Sequence, residues 1–215
     1  MVVEQRKVTP MYDLDKLAVA EVVQTERAAR DQGQWARMAS CFHPDSVVSI
    51  SWIETSGADF VTASEKAFAS GMRHLHQMAP TLVTLNGDRA LAESGAAILL
   101  GGRIGGVEVM VTSHARMHAR VERRDGVWKI VRLGAVYFED AMVARIPGET
   151  PVLDAARLAG YRPSLRFLSY LLEEGGKTPR ADLAGIDRPD LVEAMLGAEQ
   201  ASTGQQRARQ QLAAG

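Results

Sequence analysis

The spacing of apolar residues in this chain changes near residue 80, from the three-to-four-residue period of helices to the two-residue period of strands. In the segment DLDKLAVAEVVQTERAARDQGQW, Leu14, Leu17, Ala18, Val22 and Ala29 fall near helical spacing. Asp13 can serve as N-cap and Gly33 as the stop, which predicts a first helix of about five turns. A short second helix is expected around Gln34–Cys41, ended by FHPDS because the residue before Pro44 is steered away from helix. The β-branched alternation of SVVSISWI predicts a strand. Asp59 then caps a third helix, FVTASEKAFASGMR, with Phe60, Ala63, Ala67, Phe68 and Gly71 along one face. That helix delivers the chain to His74 and His76, at a junction before a β-type run that begins at Pro80.

From there the pattern is that of hairpins. Asn86-Gly87-Asp88 and Asp125-Gly126 are turn signals between long alternating runs, so helices followed by a curved, mostly antiparallel sheet predict an α+β fold. Val107, Val109, Val111, Ser113, Ala115, Met117, Ala119 and Val121 share one face, expected to meet the helices. Glu108, Thr112, His114, Arg116, His118 and Arg120 share the other, which assigns His114 and His118 to solvent or a subunit contact. In a strand their spacing separates them by about 13 Å, too far to chelate one ion. Pro147 and Pro151 punctuate a linker, after which Leu165, Leu168, Leu171 and Leu172 predict an amphipathic helix stopped by Gly175, and Pro189 opens another. The chain therefore divides into an N-terminal arm (1–13), an α+β domain (14–146), a helical extension (147–200) and a polar tail (201–215) that frays. Packing of the extension on the outside of the domain is the simpler expectation; a lid using Tyr161, Phe167 and Tyr170 is the alternative.

Composition narrows the partners. In 215 residues, 46% hydrophobic and 24% charged, 25 basic side chains against 26 acidic ones leave a net charge of -1, so no global field favours nucleic acid or an anionic membrane. The only cysteine, Cys41, precludes an intrachain disulfide. No signal-peptide core opens the chain and no apolar run has membrane-spanning length, so the protein reads as cytoplasmic. GGRIGG joins two strands and opens no helix, and there is no GxSxG turn. No cofactor is expected, and H-x-H alone is too weak a signal to assign a metal.

A helix ending in RDQGQW, then FHPDS, an HxM segment, LNGDRA and the hairpin VERRDGVWKI, in that order, resembles the SnoaL-like branch of the nuclear transport factor 2-like superfamily over roughly Leu14 to Phe138. That branch includes scytalone dehydratase, bile-acid dehydratase and hexachlorocyclohexane dehydrochlorinase relatives. The resemblance implies a cone in which helices close a bent sheet around an apolar pocket, and it places the family's aspartate–histidine pair on Asp31 and His76. The chemistry is sound in its own right: a neutral imidazole is a competent base near pH 7, and a carboxylate on its other nitrogen fixes the tautomer and stabilises the imidazolium.

Glu26 stands where relatives carry a lysine or a tyrosine. It is either a second acid or base or a surface partner of Arg30. Trp35 and Tyr137 are candidate aromatic walls, Ser94 and Met117 belong to the inward sets, and His74 is a secondary pocket candidate for which a surface position is the simpler reading. The pocket arginine of the dehydrochlorinase falls on Leu133, with Arg132 of opposite parity, which argues against chloride elimination; the small inward residues leave room for a bulky aromatic or polycyclic substrate. The expectation is a cofactor-independent lyase releasing water or formaldehyde from a hydrophobic small molecule, in a homo-oligomer, dimer or trimer. An isomerase with the same pair and a non-catalytic binding or dimerisation module are the alternatives.

Overall fold

A computed structural model describes residues 10–203. Helix α1 (Pro10–Asp31) packs beside α2 (Trp35–Ser40), and strands β1 (Phe42–Ile50) and β2 (Ile53–Ser56) lead into α3 (Gly57–Ala69). Strands β3 (His74–Met78), β4 (Leu82–Asn86), β5 (Arg89–Ile104), β6 (Val107–Arg124) and β7 (Val127–Ala144) follow. Helices α4 (Ala155–Ala159), α5 (Arg166–Glu174) and α6 (Pro189–Thr203) complete the chain. The seven strands form one sheet in the order β2-β1-β7-β6-β5-β3, with β4 on the same edge of β5 as β3. All pairings are antiparallel except β1 with β7. Register shifts at His114/Ala115 and Arg120/Val121 interrupt the long β6–β7 ladder, and such irregularities bend a sheet. The α+β cone is as expected, and among the described residues no helix is long and apolar enough to cross a membrane.

Several local expectations are corrected. Helix α1 begins at Pro10, inside the expected arm, so Asp13 is not its N-cap; residues 1–9 of that arm, and residues 204–215 of the tail, lie outside the described residues. Leu14 and Leu17 are exposed, and the inward face runs through Val19, Val23, Glu26, Arg27 and Arg30. FHPDS is part of β1, with Pro44 at the irregularity of the β1–β7 pairing, where no ladder N–H is required. Helix α3 is capped by Ser56, one turn before the expected position: its Oγ accepts from the Asp59 backbone N–H at 3.1 Å and donates to Asp59 Oδ2 at 2.8 Å, a reciprocal cap.

The alternating face of β6 is confirmed, with Val109, Val111, Ser113, Ala115, Met117, Ala119 and Val121 buried against the helices. His118 does point to the opposite face, but it is buried within this chain and does not reach solvent. Helix α6 covers it, and His118 Nδ1 lies 3.2 Å from Glu199 Oε2; His114 and Arg116 stay exposed. The extension thus has two fates: α6 packs outside the cone, whereas α5 closes over its open side with Leu168, Leu171 and Leu172 buried. Backbone N–H of Leu168 donates to Asp140 Oδ2 at 2.7 Å and Leu171 lies over Gly102, fastening this roof to β7 and β5. Tyr161, Phe167 and Tyr170, the residues expected to serve a lid, do not line the cavity beneath it.

Because Ser56 sets the start of the helix that precedes the histidine strand, Ser56→Ala should lower unfolding stability by about 1 kcal/mol. The expected readout is a lower urea midpoint with an unchanged m-value.

Candidate active site

The floor of the cavity is built where α1 ends. Gly33, at a φ of 69°, closes the helix: Gln34 N–H bonds Ala29 O at 2.8 Å and Gly33 N–H bonds Arg30 O at 3.3 Å, a Schellman closure that needs a left-handed residue at this point. The helix therefore stops with Asp31 turned toward β3. Its carboxylate accepts two hydrogen bonds from one residue, from His76 backbone N–H to Oδ2 at 2.6 Å and from His76 Nδ1 to Oδ1 at 2.7 Å. This assigns the Nδ1–H tautomer and leaves the Nε2 lone pair facing the cavity.

His74 and His76 lie on a strand, not a loop, and the two-residue period puts both rings on the same side. The surface reading of His74 is thereby overturned: its side chain is 5% exposed, its ring centroid is 5.4 Å from that of His76, and its Nε2 is 3.6 Å from Asp31 Oδ1. That Nε2 is buried with no hydrogen-bond partner among the described residues.

Two arginines escaped the sequence reading. Arg27 and Arg30 are 2% and 5% exposed, and the Nη1 of each lies 3.5 Å from His76 Nε2. Continuing the period of Val19 and Val23 along α1 is the signal that finds them, since Arg27 and Arg30 fall on that same inward stripe. Both guanidiniums lie over the Phe60 ring, at 5.8 and 5.2 Å from its centroid. Glu26 is buried and pairs through both carboxylate oxygens with Arg27, not with Arg30 at the surface. Arg30 Nε donates to Ser64 Oγ at 3.2 Å, and Arg30 has no carboxylate partner among the described residues. Leu133 at the position of the expected arginine does not leave the cavity without cations: Leu133 is buried away from the lining, and α1 supplies Arg27 and Arg30.

Electrostatics follow from this crowding. Burial, opposed by the Asp31 hydrogen bond and reinforced by Arg27 and Arg30, lowers the His76 pKa to about 4, so the imidazole is neutral at pH 7. Burial and the same arginines hold His74 far below the ordinary histidine range. Burial pushes Asp31 up, but the His76 ring and backbone hydrogen bonds and Arg27 outweigh it, so the carboxylate stays below its usual range. Burial and the neighbouring Arg27 lower Arg30 to about 9, which leaves it cationic at neutral pH. Asp31, His74 and His76 place donor atoms within 4.8 Å of one another, yet two guanidiniums beside Nε2 repel a divalent cation, and the donor set suits proton transfer better.

The cavity itself is about 40 Å³ and is lined by Arg27, Arg30, His74 and His76 on one side. Trp52, Met72, Ile98, Leu100, Met117, Tyr137, Leu168 and Leu172 supply most of the rest. Met117 and Tyr137 thus stand where expected, the Tyr137 hydroxyl accepting from Ser51 backbone N–H at 3.0 Å. Trp35 and Ser94 do not. Trp35 packs edge-on against Phe68 at 5.5 Å, and Ser94 Oγ is 2.8 Å from Thr81 Oγ1, in the contact between α1 and β4 that Gln24 completes. The expected spaciousness is also corrected: this volume holds about three waters, so a bulky ligand requires α5 or the Met72 side to move.

Comparison with known proteins agrees with this architecture. The chain is 29% identical over 192 residues to a PEP2-like protein of Fusarium vanettenii, covering 83% of this chain and 82% of that one. It is 27% identical over 163 residues to pea pathogenicity protein 2 of the same fungus, covering 74% and 70%. Among solved structures, the hexachlorocyclohexane dehydrochlorinase of Novosphingobium barchaimii superposes with a TM-score of 0.54 at 21% identity, covering 65% of this chain and 99% of the other. A scytalone dehydratase-like protein of Novosphingobium aromaticivorans superposes at 0.50 and 15% identity, covering 69% and 99%. The family model described as the SnoaL-like domain matches residues 13–134, more than half of the sequence, and the chain belongs to that family.

Proposed function

We propose that the protein is a cofactor-independent lyase acting on a hydrophobic small molecule, with His76 as the base and Asp31 as the group that orients it. The observation that carries this reading is the two-point grip of Asp31 on His76, which turns an unprotonated Nε2 toward a cavity with mostly apolar walls. The similarity to a dehydrochlorinase and a scytalone dehydratase-like protein supports small-molecule elimination as the reaction class.

In the proposed step Nε2 accepts a proton from the substrate carbon, the released electron pair forms the new double bond, and the leaving group departs from the adjacent carbon. Asp31 stabilises the imidazolium that results. Arg27 and Arg30 stand beside the same nitrogen, where negative charge develops on substrate or leaving group, and in a buried site such preorganised cations are effective. With hydroxide as the leaving group, the imidazolium returns the proton and water is released. With an O–H proton taken first, the oxygen's electron pair forms the C=O of formaldehyde as the carbon–carbon bond breaks, and the pair left on the remaining carbon takes back the proton from the imidazolium. Glu26, held by Arg27, acts through that arginine as a positioning residue and not as a second acid.

Incubation with a panel of aromatic and polycyclic alcohols, without added cofactor, should yield a product lighter than its substrate by the leaving group; a product of unchanged mass would mean isomerisation. On a verified substrate, His76→Ala and Asp31→Asn should each lower kcat by about 10²–10⁴-fold, and retention of turnover by both ends the reading. Because the His76 pKa is lowered to about 4, its basic form is the one present above that value. The profile of kcat/KM against pH should accordingly fall as pH drops through about 4 and stay level up to neutrality, measured on the wild-type protein by initial rates.

A further inference from the structure

The cavity carries a charge pattern that elimination from a neutral alcohol does not require. Of the four polar side chains at its floor, two are cations and two are neutral imidazoles. The carboxylates that offset this charge are turned away: Glu26 is engaged by Arg27, and both oxygens of Asp31 are engaged by His76. Arg30 has no carboxylate partner and His74 Nε2 has no hydrogen-bond partner among the described residues, although both are buried. A buried guanidinium without a counter-ion is costly unless a ligand supplies one, and a buried unpaired ring nitrogen asks for a partner in the same place.

Outside the cavity the pattern continues. Met72 and Leu100 line both the inner cavity and an outer basin of about 590 Å³ between the end of α3, β5 and α5. Arg73, Arg103 and Arg145 border that basin together with Glu108 and Glu174; Arg103 pairs with Glu108 and Glu174 with Arg157, whereas neither Arg73 nor Arg145 has a carboxylate partner among the described residues.

We propose that the substrate of this site is an organic acid, whose carboxylate bridges Arg27 and Arg30 beside His74 while its apolar body lies against Trp52, Leu168 and Leu172. This names the substrate class for the lyase reading above and rests on that reading only for the reaction, not for the binding. Glu26 already holds Nε and Nη2 of Arg27, so the carboxylate takes a bond from Arg27 Nη1 and its others from the terminal nitrogens of Arg30, and Arg73 and Arg145 of the basin favour approach of an anion to the Met72 side. A consequence for the base follows. Arg27 and Arg30 are among the forces that keep His76 weakly basic, and an anion seated on them cancels that repulsion, so the bound acid strengthens the imidazole that is to deprotonate it.

The test uses the full chain and matched pairs of probes: benzoate, phenylacetate and cinnamate against their primary amides. Calorimetry should show at least one acid binding about tenfold or more tighter than its amide, the scale of one charge-assisted hydrogen bond. Arg30→Met should reduce that ratio to about twofold or less, and Arg30→Lys should restore part of it, which also guards against a misfolded methionine variant. The His76 ring resonance, followed by NMR against pH, should titrate higher with the acid bound than without it. Equal binding of acid and amide, or failure of every acid to bind, overturns the proposal and leaves the lyase reading standing on its own. His76→Ala should lower turnover by about 10²–10⁴-fold yet keep the preference for the acid, so loss of the reaction and loss of the anion site are separate outcomes.

Discussion

Everything in the site depends on one carboxylate holding one residue at two points. A single hydrogen bond from the His76 ring to Asp31 would leave the imidazole free to swing about the strand; the second, donated by the His76 backbone N–H, fixes the strand as well as the ring. The end of α1 and the start of β3 are thereby locked in register, and the rest of the cavity is placed relative to that joint. The same joint orients His74, because residues two apart on a strand share a side. It also explains why α1 must stop where it does: the Schellman closure at Gly33 turns the last helical residue toward the sheet instead of carrying it past.

Around that joint the interior is more polar than an ordinary core. Glu26, Arg27 and Arg30 are buried on the face of α1 where Val19 and Val23 set the apolar stripe. Ion pairs and unpaired guanidiniums in an interior are poor investments in stability, and the Phe60 ring and Ser64 hydroxyl only partly compensate them. Local disagreement between what a position favours and what it carries is a mark of a working site. Here the disagreement lies within about one and a half helical turns of Asp31, the residue that grips His76.

Structure is legible in the sequence where periodicity has a single reading. The hairpins at Asn86-Gly87 and Asp125-Gly126 and the alternation along Val107 to Val121 stand as expected, because two-residue alternation and tight-turn chemistry leave few alternatives. Structure is least legible where polar residues occupy inward positions. Hydrophobic spacing in α1 selected Leu14 and Leu17, which are exposed, and passed over Arg27 and Arg30, since a charged residue on an apolar stripe reads as surface unless the stripe is phased from its interior members. His74 was misjudged because a five-residue strand of mixed character looks like a loop, and pairing with β5 decided the matter. Leu168 and Leu172 were recognised as one face of a helix, but nothing in the spacing says what that face covers; that is a property of the tertiary path.

Floor and roof of the cavity come from different stretches of the chain. Asp31, His76 and the two arginines lie within the segment matched by the SnoaL-like family, whereas Leu168 and Leu172 are supplied by α5, beyond its end. A canopy borrowed from an appendage can be lengthened, shortened or repainted by mutation without disturbing the reacting atoms. Selectivity among substrates and the chemistry performed on them are therefore able to evolve on independent schedules in this protein.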